Sequence, residues 1–212
     1  MDELDVADWR ERVARLYLSG ADLAGFRAER DALFAEHPQS PIPVAERSGF
    51  TGLRYFPPNP DAVVEVPLRP AAGEIEIDTG GPDGVVRYRR VAVAETPWGP
   101  LTLWWINAYG GGLFLPFRDG TCGTESYGGG RYLTDTVKGT FGRGVTVLPG
   151  GRVRLDVNYA YNPSCAYSEA WLCPLAPEEN RLAAPVRAGE LSYHGAGAGA
   201  NAASDRRQTD PP

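Results

Sequence analysis

Short apolar segments separated by glycine- and proline-rich turns run from residue 64 to residue 157, and this pattern most constrains the fold. The chain has 26 glycines and 19 prolines among 212 residues, which favours many short elements over long helices. Val64, Val66 and Leu68 alternate with other residues, as in a strand with one buried face. Short strands joined by tight turns pair antiparallel. The sequence therefore predicts a mainly β, α+β protein with an antiparallel sandwich or barrel-like sheet.

The longest predicted strand covers residues 85–94. The parity of its charged residues shifts near Arg89 and Arg90, and such a shift predicts a β-bulge. Residues 101–107 are too uniformly apolar for an exposed strand. Residues 145–159 form a predicted hairpin that turns at a Pro-Gly-Gly sequence.

Two helices are predicted before the strands, and we expect them to cap an edge or an end of the sheet. Apolar residues recur at three- and four-residue steps over 5–20 and again over 21–36, which is typical of amphipathic helices. Asp22 stands at the start of the second helix, and Pro38 ends it because the residue before a proline is disfavoured in the helical region. The charged residues between Arg27 and Asp31 are expected on a solvated face.

These segments divide the chain into three parts. Residues 1–37 form the N-terminal helical segment, and residues 38–193 form a single β domain. Its first residues, 38–61, contain six prolines interleaved with large apolar side chains, so we expect an ordered connection. Residues 194–212 are mostly small and polar and are expected to be a disordered tail, because they have nothing to bury.

Composition excludes several classes of protein. The apolar fraction of 42% and the charged fraction of 23% are typical of soluble globular proteins. A net charge of −6 argues against a nucleic-acid partner, since phosphate binding needs a basic face. No run reaches the roughly 20 apolar residues of a membrane span, and the N-terminus lacks the apolar core of a signal peptide. We therefore expect a cytoplasmic protein with reduced cysteines and no membrane partner.

Three blocks carry a resemblance: PFRDGTCGTESYGGGRYL at 116–133, DVNYAYNPSCAY at 156–167 and CPLAPEENRLAAPVRAGE at 173–190. Together they resemble the DUF1684 family of bacterial and archaeal proteins, a domain of unknown function. Ser126 stands where the family has threonine and Val157 where it has phenylalanine, and neither change touches a chemically active group. The resemblance implies no catalytic residues.

Arginines and carboxylates in the first block suggest a ligand site. Arg118 and Asp119 follow a predicted strand, and Arg131 follows a glycine-rich turn. A guanidinium can hold a carboxylate or a phosphate by two parallel hydrogen bonds. The alternative is that these arginines pair with Asp119, Glu125 or Asp156 and only stabilise the sheet. The candidate ligand-binding residues are Arg118, Asp119, Tyr127, Arg131, Asp156, Asn158, Tyr161 and Asn162.

The second block offers a general base and a pocket wall. Asp156 could act as a base if an apolar wall raised its pKa. The alternative is that Asn162 and its neighbours hold an irregular segment by side-chain bonds to the backbone. Tyrosines suit a pocket wall, since their rings are apolar and their hydroxyls polar. The tyrosines of this region are Tyr109, Tyr127, Tyr132, Tyr159, Tyr161 and Tyr167.

The cysteines do not form a recognisable metal motif. Cys165 and Cys173 are separated by seven residues, and the only histidines, His37 and His194, stand at no ligand spacing from them. We therefore expect no metal and no cofactor. Small buried apolar residues are the default interpretation of the cysteines, although Cys165 remains a candidate nucleophile.

Two functions from different classes remain open. The first is a small-molecule-binding β domain whose arginines, tyrosines, Asp156 and asparagines converge on one partly enclosed cavity for a polar or anionic ligand. The second is an enzyme, a hydrolase or lyase, in which Asp156 or Glu125 acts with Arg118 or Arg131 as the charge stabiliser. The catalytic candidates are Asp156, Glu125 and Cys165.

Overall fold

The computed structural model describes residues 2–78 and 84–194, so the predicted tail lies outside the described residues except for His194. The first helix, α1, covers Asp2–Leu18, and α2 covers Leu23–Glu36. Both confirm the predicted helices. A short helix, α3, follows at Val44–Arg47. The strands are β1 (Val63–Pro70), β2 (Glu74–Asp78), β3 (Val85–Thr96), β4 (Gly99–Ile106), β5 (Gly112–Phe117), β6 (Arg131–Asp135), β7 (Val145–Leu148) and β8 (Arg152–Asp156).

The strands form one antiparallel sheet that curls into a nearly closed barrel. Its order is β6-β5-β4-β3-β1-β8-β7, and β2 pairs with β3 beside this path. The long strand β3 reaches both partners on one side, because its first half pairs with β2 and its second half with β1. The predicted hairpin is present as β7 and β8, and β4 pairs with both β3 and β5. The mainly β prediction is therefore confirmed.

The predicted β-bulge in β3 is confirmed as well. The pairing of β3 with β4 shifts register between Arg90 and Ala92. An extra residue in one strand bends it and increases its twist. The bulge thus helps this strand to curve around the barrel.

Strand β4 explains why residues 101–107 are so uniformly apolar. Leu101 and Leu103 face the main core of the barrel. Trp104, on the opposite face, is equally buried and packs against the rings of Tyr88 and Phe114. Because both faces are covered, the usual alternation of apolar and polar residues is absent.

The N-terminal helices pack together and against the segment that follows β8. Asp22 caps α2 by accepting a hydrogen bond from the Gly25 amide at 2.8 Å. Tyr17 and Phe26 meet edge to face, with ring centroids 5.0 Å apart. Phe26 in turn contacts the ring of Tyr159. None of the helices in the described part of the chain is long and apolar enough to cross a bilayer.

One prediction about α2 is wrong. Arg30 was expected on a solvated face, but only 5% of it is exposed. Its guanidinium forms an ion pair with Glu190, with 3.0 Å between Nη1 and Oε2. This distant partner, on the C-terminal segment, compensates the burial of the charge.

The proline-rich connection is ordered, as predicted. Leu53 and Phe56 are buried. The Phe56 amide donates a hydrogen bond to the carbonyl of Gly189, and the Leu191 amide donates one to the carbonyl of Arg54. The connection therefore runs beside the C-terminal part of the domain and holds it against the barrel.

Candidate functional site

Arg131 opens β6, and its guanidinium is entirely enclosed. It donates to Asp119 Oδ1 at 3.1 Å and to the Val186 carbonyl at 3.0 Å. It also donates to the carbonyls of Ala188 and Glu190. Every partner is part of the protein, so this arginine ties the C-terminal segment to the barrel.

Asp119 is equally occupied. Its Oδ2 accepts a hydrogen bond from the Val186 amide at 2.6 Å, and its carboxylate accepts one from the Thr121 hydroxyl at 3.0 Å. The glycine-rich turn before Arg131 brings two backbone segments together. A Cβ on Gly130, whose φ is 93°, would lie 2.5 Å from the carbonyl oxygen of Phe117. The glycine is needed for a close approach between two backbone segments rather than for a ligand.

Asp156 and Asn158 hold β8 to the proline-rich connection. The Asn158 side chain accepts from the Asn59 amide at 2.8 Å and donates to the Asn59 carbonyl at 2.8 Å. Asp156 accepts from the Asn158 amide at 3.1 Å and pairs with Arg154 at 3.1 Å. These contacts match the interpretation of the second block as a set of side-chain bonds to the backbone.

Arg118 and Glu125 lie nearer the surface. The backbone of Arg118 pairs with Asn180 and Leu182, while its guanidinium makes no hydrogen bond to the described residues. Glu125 forms an exposed ion pair with Arg187 at 2.9 Å. A water-exposed carboxylate beside a guanidinium has none of the burial that tunes a catalytic base.

The structure places the remaining candidates elsewhere. Tyr161 and Asn162 line a cavity beneath the helices. Tyr127 and Cys165 border a separate open pocket of about 420 Å³, and the Tyr127 hydroxyl lies 3.6 Å from the Cys165 sulfur. The eight candidate residues are thus not gathered around one cavity.

The cavity that Tyr161 and Asn162 line, here called the helix-side cavity, has a volume of about 70 Å³. It lies where α1 and α2 cover β6 and the segment after β8. Aromatic rings form much of its wall, including two of the predicted pocket tyrosines besides Tyr161. These rings belong to Trp9, Tyr17, Phe34, Tyr132, Tyr161 and Tyr167. Tyr109, by contrast, is fully exposed.

Arg30 enters the helix-side cavity as part of a buried network. It donates to the Tyr55 hydroxyl at 3.0 Å and to the Tyr167 hydroxyl at 3.3 Å. Tyr167 in turn donates to Glu190, which accepts the Asn162 amide at 3.0 Å. Burial raises the pKa of Tyr167 well above its ordinary value, so its hydroxyl keeps its proton and acts as a donor at neutral pH.

Other polar groups of the helix-side cavity are not saturated. Tyr17 forms no hydrogen bond through its hydroxyl to the described residues, and burial raises its pKa. Asn162 Oδ1 is buried without a hydrogen-bond partner in the described chain. The half-exposed Lys138 lies 3.8 Å from Asp135 Oδ2. Tyr17 and Lys138 therefore place a hydroxyl and a cation on residues that border empty space.

Sequence reasoning missed Tyr17, Arg30, Lys138 and Glu190 as parts of a site. Two signals were present. Arg30 stands on the same face of α2 as Phe26 and Phe34, where a charge has no place without a partner. Lys138 is the single lysine among 21 basic residues.

Comparisons with known proteins yield a family of unknown function and a structural relative. The family model described as "Protein of unknown function (DUF1684)" matches residues 48–191. A search of curated proteins finds no match. Among solved structures, the chain is similar to an uncharacterized protein of Haloarcula marismortui determined by solution NMR. The two are 37% identical with a TM-score of 0.56, and the match covers 90% of this chain and 97% of that chain.

Proposed function

Because the chain belongs to the DUF1684 family, whose description states no activity, we propose a function from geometry: the protein binds a small polar or anionic molecule in the helix-side cavity. The observation that carries the proposal is the set of unsaturated polar groups there. Tyr17, Asn162 and Lys138 border the same empty volume. Buried polar groups are nearly always hydrogen-bonded, so the Tyr17 hydroxyl favours an occupant that pairs with it. The half-exposed Lys138 adds a cation beside the same volume.

The size of the cavity limits the ligand. Pockets for drug-sized ligands have volumes of about 300–1,000 Å³, so a cavity of about 70 Å³ favours a much smaller molecule. A short carboxylate or another compact polar molecule fits this limit. Its apolar part would lie against the rings of Trp9 and Phe34, and its polar end would meet the hydroxyl of Tyr17 and the ammonium of Lys138.

Lys138 favours an anion. Its ammonium is a compact charge with three donors, and its contact with Asp135 is long at 3.8 Å. Arg30, the other cation of the cavity, is already neutralised by Glu190. The charge left to attract a ligand is therefore that of Lys138.

Binding fits this geometry better than hydrolase or lyase chemistry. Glu190, which bonds to the lining residues Arg30 and Tyr167, is paired through both of its oxygens. The earlier catalytic candidates Asp156 and Glu125 are held by Arg154 and Arg187. No lining side chain of the helix-side cavity has the unpaired carboxylate that a general base requires.

The first experiment identifies the occupant without assuming it. The full chain is purified under mild conditions and denatured, and the small molecules that it releases are identified by mass spectrometry.

In a second experiment, sodium acetate and sodium propionate are tested by thermal shift against sodium chloride at equal ionic strength. We expect the carboxylates to raise the Tm of the wild-type protein.

Two variants localise the effect. Tyr17→Phe removes one cavity hydroxyl without changing the ring, and we expect it to abolish most of the acetate-dependent shift. Tyr109→Phe, which changes a fully exposed tyrosine in the same way, serves as the matched control and should leave the shift intact. If both variants respond as the wild type does, acetate binds outside the helix-side cavity and the proposal fails.

A further inference from the structure

Cys165 and Cys173 lie side by side although seven residues separate them. The Cys165 amide donates a hydrogen bond to the Cys173 sulfur at 3.4 Å. The Cys165 thiol also donates a hydrogen bond to this sulfur. Cys165 stands in the single turn at Ser164–Ala166, and Cys173 follows on the loop that returns to it. Both sulfurs are unoxidised.

Each sulfur borders a different opening. Cys173 borders a pocket of about 120 Å³, here called the thiol pocket, together with Arg10, Lys138, Ser164 and Trp171. Cys165 is half-buried and borders the larger pocket next to Tyr127. Cys173 is buried, with 2% of it exposed, so the thiol pocket is the opening from which a small reagent would approach it.

The surroundings of Cys173 favour its thiolate. The hydrogen bond from Cys165 lowers the pKa of Cys173 to about 6, against the effect of burial. Lys138 and the amides of Cys165 and Ser164 act in the same direction as that hydrogen bond. The charged groups that border the thiol pocket, Arg10 and Lys138, are both cations. At Cys122 burial is the largest effect, and it raises the pKa.

We propose that Cys165 and Cys173 form a reversible redox pair, in which Cys173 attacks a small hydroperoxide and Cys165 resolves the product into a disulfide. A thiolate is the nucleophile in such chemistry, and a neighbouring thiol is what completes it. This inference rests on the thiol pair, and Lys138 borders both the thiol pocket and the helix-side cavity.

The reaction balances with hydrogen peroxide as the oxidant. The Cys173 thiolate attacks one peroxide oxygen, a sulfur–oxygen bond forms and the oxygen–oxygen bond breaks. The leaving hydroxide takes the proton of the Cys165 thiol and becomes water. The Cys165 thiolate then attacks the sulfur of the Cys173 sulfenic acid, the sulfur–sulfur bond forms and the sulfur–oxygen bond breaks. The hydroxide that leaves takes a proton from solvent and becomes the second water. The peroxide gains two electrons and the two sulfurs lose them, and an external dithiol reverses the oxidation by exchange.

The test uses the full-length chain with one equivalent of hydrogen peroxide, followed by alkylation without reductant and peptide mass spectrometry. We expect a disulfide bond between Cys165 and Cys173. The bond lowers the mass of the chain by that of two hydrogen atoms, and dithiothreitol reverses it. Cys165→Ser should stop at a sulfenic acid on Cys173, which dimedone traps. Cys173→Ser should lose the reaction, and the matched control Cys122→Ser should keep it.

A measurement on the wild-type chain avoids any folding defect of the variants. Iodoacetamide alkylation of Cys173 and Cys122 is followed in the same sample from pH 5 to pH 9. Because only the thiolate reacts, we expect the Cys173 rate to rise through a midpoint near its pKa of about 6 and to exceed the Cys122 rate by roughly tenfold or more at neutral pH. Equal rates, or a peroxide-induced bond that involves Cys122, would overturn the proposal.

Discussion

Arg131 and Arg30 are both buried guanidiniums paired with a carboxylate, yet they stand in different surroundings. Arg131 is enclosed with Asp119, and its other bonds go to backbone carbonyls of the C-terminal segment. Arg30 pairs with Glu190 but also borders the helix-side cavity. A buried arginine therefore indicates a polar network in either case. The neighbouring empty volume and unsaturated groups distinguish a candidate ligand site from a structural one.

The largest expected effect concerns the enclosed pair. Arg131→Met leaves the Asp119 carboxylate buried without its cation, and breaking a buried pair in this way costs about 3–5 kcal/mol. Urea denaturation of the variant should show this loss in the free energy of unfolding. Arg187→Met, which breaks the exposed pair with Glu125, is the control and should match the wild type. A mild effect of Arg131→Met would mean that the network is less important for stability than its contacts indicate.

The second prediction concerns the network beside the cavity. Tyr167→Phe removes the hydroxyl that accepts from Arg30 and donates to Glu190. We expect a loss of about 1–3 kcal/mol, since buried polar groups lose a partner while the ion pair itself remains. Chemical denaturation measures it beside Arg131→Met. A loss as large as that of Arg131→Met would show that the two networks contribute equally to the free energy of unfolding.

The third prediction concerns Asp135, a buried carboxylate whose Oδ1 has no partner among the described residues. Burial raises the pKa of Asp135 above 3.8, so its ionised form destabilises the fold as pH rises from 3.8 through the raised value. Asp135→Asn should therefore have a higher Tm than the wild type at neutral pH. This advantage should shrink as pH falls toward 3.8. A lower Tm at neutral pH would contradict the prediction.

The smallest effect on stability is expected at the cavity itself. Tyr17→Phe removes a hydroxyl that has no hydrogen bond to the described residues, so the free energy of unfolding should change by less than about 0.5 kcal/mol. Denaturation in buffer without carboxylates measures this change. A larger loss would show that Tyr17 has a structural role. The loss of acetate binding in Tyr17→Phe would then not be evidence for a contact between acetate and the Tyr17 hydroxyl.

Local pattern was enough to predict much of the fold. The periodicity of α1 and α2, the turns of the hairpins and the bulge in β3 depend on neighbouring residues, and all of them are confirmed. Helix α3 was missed because four residues are too few to show a period. The barrel itself follows from short antiparallel strands that must bury one face.

The site was harder to predict because its residues come from distant parts of the chain. Arg30 has its carboxylate at Glu190, on the C-terminal segment. The partners of Arg131 include carbonyls that leave no trace in the sequence pattern. Residue types indicated that arginines, tyrosines and asparagines matter, but only long-range contacts show which donors are already satisfied.

The most direct test of the helix-side cavity is a titration of the ¹⁵N-labelled full-length chain with sodium acetate, followed by proton–nitrogen correlation spectra. The account predicts saturable shifts at the amides of Lys138, Asn162 and Ser164, which surround the cavity, and their loss in Tyr17→Phe. Shifts that cluster instead at Arg118, Asp119 and Arg131 would contradict the account and restore the site that the sequence first indicated.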